Sequence, residues 1–189
     1  MATKKFYIVI DAQNDFVTGP LGTPEAQKAI KEIAKVLKER ENKDYLNAGT
    51  LIFTRDTHLY SYLDTPEGKF LPIKHCITGT PGWCIVNELQ EYAQKTGLYN
   101  IINKDNFGFS NWKTFFNKTF FNENFPYDSL DITLMGLCTD ICVVTNALML
   151  RTLFPNAKIS VLSSCCAGTT PENHEAALKV MKACNIEII

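Results

Sequence analysis

The chain has 189 residues, 46% hydrophobic and 21% charged, with a formal net charge of -1. This length suits one domain with a substantial core, and so small a net charge gives no electrostatic case for nucleic acid or an anionic membrane as the main partner. The start MATKKFYIVID is basic, then apolar, but the apolar run stops at Asp11, too short for a secretory signal, and no run reaches transmembrane length; a cytoplasmic protein is expected.

The predicted elements alternate in type along the chain. FYIVI (6–10) is an apolar run of strand length. Residues 24–40 form an amphipathic helix with Ala26, Ala29, Ile30, Ile33 and Leu37 on one face. A strand at 51–54, a helix at 83–94 and a weaker strand at 99–103 follow, then a strand at 132–136. The helix at 140–154 is apolar nearly all round, which suits burial at an interface or deep in the core. After a strand at 159–162, Thr170 as N-cap and Pro171 at the first helical position open a helix to 183, and the chain ends in a short strand, IEII. No repeat, low-complexity tract or linker divides the chain, so a single domain over 1–189 is expected. Strands that are apolar throughout and alternate with helices imply an α/β fold with a parallel sheet covered on both faces. In such sheets ligands bind beyond the carboxyl ends of the strands.

Seven cysteines stand at 76, 84, 138, 142, 165, 166 and 184. An odd count in a chain of this length does not suit a secreted disulfide framework, so they are expected to be free thiols, most of them buried small hydrophobes. Any functional cysteine must be distinguished by its setting.

The strand ends supply that setting. The first strand ends at Asp11 in DAQNDF, and the second runs into Arg55, Asp56, Thr57 and His58. The third leads to Lys104 in INKDNFGFS, and the fourth delivers GLCTDICV with Cys138 and Cys142. An Asp after a strand is commonly a turn residue, and a loop Lys is commonly surface charge. Their convergence on one edge of the sheet is the informative point.

In that order, DAQNDF, Lys104 and GLCTDICV resemble the three signature segments of the isochorismatase-like cysteine hydrolases and, within them, of the nicotinamidases. The resemblance implies a three-layer α/β/α fold with a six-stranded parallel sheet and a catalytic triad of Cys142, Asp11 and Lys104. It also implies a cis peptide at Leu137–Cys138, with the amides of Cys138 and Cys142 as oxyanion donors. The family more often has Ala or another small residue at position 138. The chemistry fits these types. A free thiol has a pKa of about 8.5; the helix N-terminus and Lys104 favour a thiolate at Cys142, and Asp11 can take its proton. A lowered thiol pKa is therefore expected, each two units amounting to ~2.7 kcal/mol. Thiolate attack on an amide carbonyl gives a thioester, and ammonia leaves with a proton from Asp11.

By the same resemblance, Asp56, His58 and His75 match the metal ligands of nicotinamidases, with Glu67 as the remaining ligand and Asp64 as its competitor. Two carboxylates and two imidazoles suit a divalent metal, zinc by preference, with iron or manganese as alternatives. The bland alternative is ordinary loop residues, although two of only three histidines fall in this window. Phe16 and Phe109 are expected to flank the substrate ring. A Trp common before the last metal His is absent, Pro72 or Ile73 standing there, and His174 is read as structural.

The expected function is a cysteine-dependent amidase acting on a small amide, most specifically nicotinamide to nicotinate and ammonia, as in NAD salvage. Members of the family are commonly homo-oligomers, and the same is expected here. Hydrolysis of another small amide or carbamoyl compound, as by N-carbamoylsarcosine amidase, is the first alternative. A Cys138–Cys142 redox pair is the second, and its CxxxC spacing lacks the tight thioredoxin form. A binding module without turnover is the third, against which stand the intact Asp11, Lys104 and Cys142.

Overall fold

The computed structural model describes residues 3–42, 48–120 and 127–189. Its strands are β1 (Lys4–Ile10), β2 (Thr50–Asp56), β3 (Ile101–Lys104), β4 (Leu130–Leu137), β5 (Lys158–Ala167) and β6 (Glu187–Ile188). They form one six-stranded sheet of order β3-β2-β1-β4-β5-β6. Every neighbouring pair is parallel, with Ile8 opposite Ile52 on one side and Leu134 on the other. The chain builds outward from β1 through β2 and β3, then returns to lay β4 on the other side of β1. The order therefore reverses between β1 and β4, where α/β sheets open a crevice.

Two apolar layers cover the sheet. On one face lie α1 (Asn14–Val17), α2 (Pro24–Glu41) and α4 (Asn87–Thr96), packing Phe16, Ile30, Ile33, Leu37 and Leu89 against Val9, Phe53 and Met135. On the other lie α5 (Trp112–Phe120), α6 (Val144–Leu153) and α7 (Pro171–Ala183), packing Trp112, Phe116, Leu150 and Met181 against Ile8, Ile10 and Leu134. A short helix, α3 (Pro66–Phe70), sits in the connection after β2. The α/β/α expectation and the six parallel strands are met.

Three helices begin with the same tripeptide, Thr-Pro-Glu. Thr23, Thr65 and Thr170 each accept a backbone N–H three residues on, at 3.0, 3.0 and 3.2 Å, with Pro at the first helical position. The cap satisfies one orphan amide, and the fixed proline φ suits the first turn.

The structure departs from the sequence-based elements most in two boundaries and one added helix. The helix expected at 83–94 begins only at Asn87, because residues 84–86 pair with the loop after β1: Asn14 N–H donates to Cys84 O and Val86 N–H to Ala12 O, both at 3.0 Å. The weak strand at 99–103 starts at Ile101 after a tight turn and reaches Lys104, in register with Asp56. Helix α5 was not anticipated. Its WKTFFNKTF is rich in aromatic and β-branched residues of low helix propensity, yet burial of Trp112 and Phe116 fixes it.

Candidate active site

Asp11, Lys104 and Cys142 come together at the β1–β4 crevice, all buried. Asp11 leaves β1 with φ +46°. Its Oδ1 accepts from Thr54 Oγ1 at 2.7 Å, while its amide donates to the same hydroxyl oxygen at 3.2 Å. Lys104, the last residue of β3, places Nζ 2.7 Å from Asp11 Oδ2, 3.2 Å from Asp56 Oδ1 and 3.6 Å from Cys142 Sγ, and donates to Asn106 O at 2.9 Å. Gly136 lets β4 approach β1 here: a Cβ on it would lie 2.0 Å from Ile10 O, and its φ is +127°.

Cys142 sits in a single π-helical turn, Thr139–Val143, that leads into α6. The Leu137–Cys138 peptide is cis. The Cys138 carbonyl accepts from the Ile141 and Val143 amides at 3.2 and 3.0 Å, on either side of the Cys142 amide. Side chains pin the turn from two directions. Asp140 Oδ1 accepts from Thr169 N–H at 2.8 Å, and Thr139 Oγ1 lies 2.8 Å from His174 Nδ1. His174 is thus apart from the catalytic cluster. Asn146, which sequence reasoning passed over, is fully buried; it donates to Cys142 O at 2.8 Å and Phe107 O at 3.1 Å and accepts from Phe109 N–H and Trp112 Nε1–H, both at 3.0 Å. It ties the cysteine turn to the lysine loop. Only its place on an otherwise apolar helix could have signalled it.

The electrostatics correct one expectation. Burial pushes the Cys142 thiol well above its ordinary range; Lys104 pulls it down, and Asp11 and Asp56 push it further up. The lowered pKa expected from helix dipole and lysine is not met, because desolvation of a buried thiolate outweighs both. Burial likewise raises Asp11, against the pull of Lys104. Burial alone would lower Lys104, yet Asp11, Cys142 and Asp56 carry it well above the usual range, so it stays cationic.

Asp56, His58, Glu67 and His75 bring one donor atom each within 4.8 Å of one another. Asp56 ends β2; Glu67 lies in the first turn of α3, just after the Thr65 cap. Asp56 Oδ2 lies 2.9 Å from His58 Nε2 and 3.5 Å from His75 Nε2, and Glu67 Oε1 lies 3.6 and 3.8 Å from the same nitrogens. His75 Nδ1 must donate to Ile73 O at 2.8 Å, which turns Nε2 toward the cluster. His58 Nε2 is buried without an aligned hydrogen-bond partner among the described residues. Two inward imidazole nitrogens and two carboxylates form a donor set that a divalent metal fits. Burial would raise Asp56, but bonds to His58 and His75 and the charge of Lys104 hold it far below the carboxylate range. Asp64, the competitor for the fourth place, is exposed and outside the cluster. Tyr62, not anticipated, is 1% exposed and walls both imidazoles, its ring 4.6 Å from His58 and 5.0 Å from His75.

Triad thiol and donor cluster open into one cavity of about 360 Å³. It is lined by Asp56, Glu67, His75 and Cys142 at its polar end and by Phe16, Leu21, Leu71, Phe107 and Ile141 elsewhere. Phe16 lines it as expected, 5.5 Å from the His75 ring. Phe109 does not. Its amide is held by Asn146 and its ring packs edge-on against Trp112 at 5.1 Å, so Phe107 takes the wall instead.

Residues 5–189 match the family model of the isochorismatase domain. A nicotinamidase of Schizosaccharomyces pombe is 25% identical over 96% of this chain and 91% of its own. The structure of a pyrazinamidase/nicotinamidase from Streptococcus mutans superposes with a TM-score of 0.80 at 28% identity, over 98% of this chain and 100% of that one. The pyrazinamidase of Pyrococcus horikoshii, solved in complex with zinc, gives 0.76 at 23% identity over 98% of each chain. No helix among the described residues is long and apolar enough to cross a membrane. The chain belongs to the isochorismatase family and is a nicotinamidase-like amide hydrolase.

Proposed function

We propose that this protein hydrolyses a small aromatic amide, nicotinamide in the first instance, to the carboxylate and ammonia through a thioester on Cys142, as one domain over 1–189 and in the service of NAD salvage. The observation that carries this reading is the meeting of a buried thiol, amine and carboxylate beside a four-donor cluster in one apolar cavity.

Asp11 Oδ2 is the base. It lies 2.7 Å from Lys104 Nζ and, as a carboxylate oxygen, keeps a second lone pair for the thiol proton. The raised carboxyl of Asp11 brings its proton affinity toward that of the thiol, and fixed Lys104 stabilises the anion wherever it rests. As Asp11 takes the proton, Sγ attacks the amide carbon, and the Cys138 and Cys142 amides receive the oxyanion. Collapse breaks the C–N bond, and Asp11 returns its proton to the departing ammonia. Water then attacks the thioester, giving a proton to Asp11; the C–S bond breaks, Asp11 returns that proton to sulfur, and the acid leaves as the carboxylate with its remaining proton passing to solvent.

Asp56, His58, Glu67 and His75 would hold a divalent metal, zinc by preference. Bound there, it supplies a Lewis acid for a ring nitrogen of the substrate. Phe16 and Phe107 flank the ring, and the apolar walls keep bulk water from the thioester. Ammonia release from nicotinamide, pyrazinamide and a panel of aliphatic and carbamoyl amides tests the reading. Turnover of nicotinamide is expected; acceptance of another amide without it keeps the chemistry and removes the substrate.

A further inference from the structure

One short loop serves both halves of the site. Asp11 belongs to the triad, and the residues two and four further on, Gln13 and Asp15, reach to the metal-ligand cluster. Gln13 is fully buried and uses three bonds on backbone. Its Oε1 accepts from Asp56 N–H at 2.7 Å, and its Nε2 donates to Asp56 O and Trp83 O, both at 2.9 Å. The amide of this side chain thus matches both backbone groups of one cluster residue. Asp15 Oδ2 accepts from Cys76 N–H at 2.7 Å, directly after His75. Cys76 has φ +47°, and its carbonyl accepts from His58 N–H at 3.0 Å. A single carboxylate therefore fixes the peptide that follows one imidazole and, through it, the backbone of the other. Space is kept for it: a Cβ on Gly82 would lie 2.1 Å from Asp15 Oδ2, and one on Gly19 would lie 2.5 Å from Oδ1.

We propose that Gln13 and Asp15 are positioning residues that set the metal affinity of the Asp56, His58, Glu67 and His75 site. The inference rests on the metal reading above. Partners that orient ligands without touching the metal typically change affinity 10–100-fold, about the loss expected here.

The test uses metal-stripped full-length protein, titrated with zinc(II) against a chromophoric chelator, with cobalt(II) adducts followed by visible absorption. Asp15→Ala and Gln13→Ala should each weaken zinc about 10–100-fold and alter the cobalt bands. Asp15→Asn, which keeps an oxygen for Cys76 N–H, should recover most of the affinity; failure to do so overturns the account for Asp15. Leu178→Ala, in the core on the other face of the sheet, should lower Tm and leave zinc affinity unchanged. An equal loss there would make affinity a readout of stability alone and overturn the inference. Gln13→Glu covers the case of an alanine variant that fails to fold: it keeps the acceptor for Asp56 N–H but sets an oxygen against two carbonyls, and unaltered affinity in it overturns the role of Gln13. Zinc bound equally tightly by wild type and all variants overturns this inference alone, whereas no zinc on wild type overturns the metal reading with it.

Discussion

The middles and the ends of the strands are equally buried and chemically opposite. Ile8 and Ile52 have no exposure, and a few residues later Asp11, just past β1, and Asp56, the last residue of β2, are 0% and 4% exposed. In the middles burial is itself the stabilising term, at roughly 25 cal/mol per Å² of apolar surface. At the ends burial opposes the charged form, and the groups persist only because each has partners: Asp11 with Thr54 and Lys104, Asp56 with Gln13, His58 and Lys104. The apolar strands thus act as a rigid floor that holds an intrinsically unfavourable cluster in place. The same desolvation raises the Cys142 thiol above its ordinary range.

The sharpest break in this comparison comes from the thiol. Cys142→Ala should lower ammonia release about 10⁴-fold or more, as for other nucleophile deletions, with little change in Tm. A large loss of stability with residual activity would move the nucleophile elsewhere. Lys104→Met removes the cation that contacts both Asp11 and Asp56 and leaves buried carboxylates short of a partner. It should cost ~3–5 kcal/mol in denaturant unfolding as well as activity; a stability equal to wild type would show that the charges do not depend on one another.

Metal removal probes the neighbouring cluster. At a zinc concentration about 100-fold above its Kd, binding should stabilise the protein by ~2.7 kcal/mol, read as a rise in Tm over the chelated protein. An unchanged Tm would mean the four donors do not act together.

Cys166 offers a milder test away from the site. Burial pushes its thiol up to about 12, against a bond to the Gly136 backbone. The sign follows from a folded-state pKa above the unfolded one: stability is full below the unfolded thiol range and declines as pH rises from there toward 12, by up to about 1.4 kcal/mol per unit. Cys166→Ala should flatten that alkaline decline in Tm, and an identical slope would remove the assignment. The smallest effect belongs to a strand middle: Ile52→Val should cost ~0.5–1.5 kcal/mol and leave turnover nearly intact.

Much of this was legible beforehand because it is local. Apolar runs of strand length, a 3.6-residue stripe on α2 and a Thr-Pro start on α7 are properties of neighbouring residues, and a parallel sheet follows from their alternation. Asp11, Lys104 and Cys142 were identifiable as residues that stand at strand ends within recognisable segments. Phe109 was placed in the cavity wrongly because the close packing of Gly108 on Thr145 and Met149 and the grip of Asn146, both tertiary, hold that segment.

Sequence by itself determined the strands and the long helices apart from α5, the sheet class and which chemical groups reach its carboxyl edge, since these depend on side-chain pattern and chain order. Tertiary structure alone decided that Asn146, Tyr62, Gln13 and Asp15 pack and bond around the site, and that burial raises the Cys142 thiol. These depend on distances between segments distant in sequence and on desolvation, which exists only once the chain has closed around them.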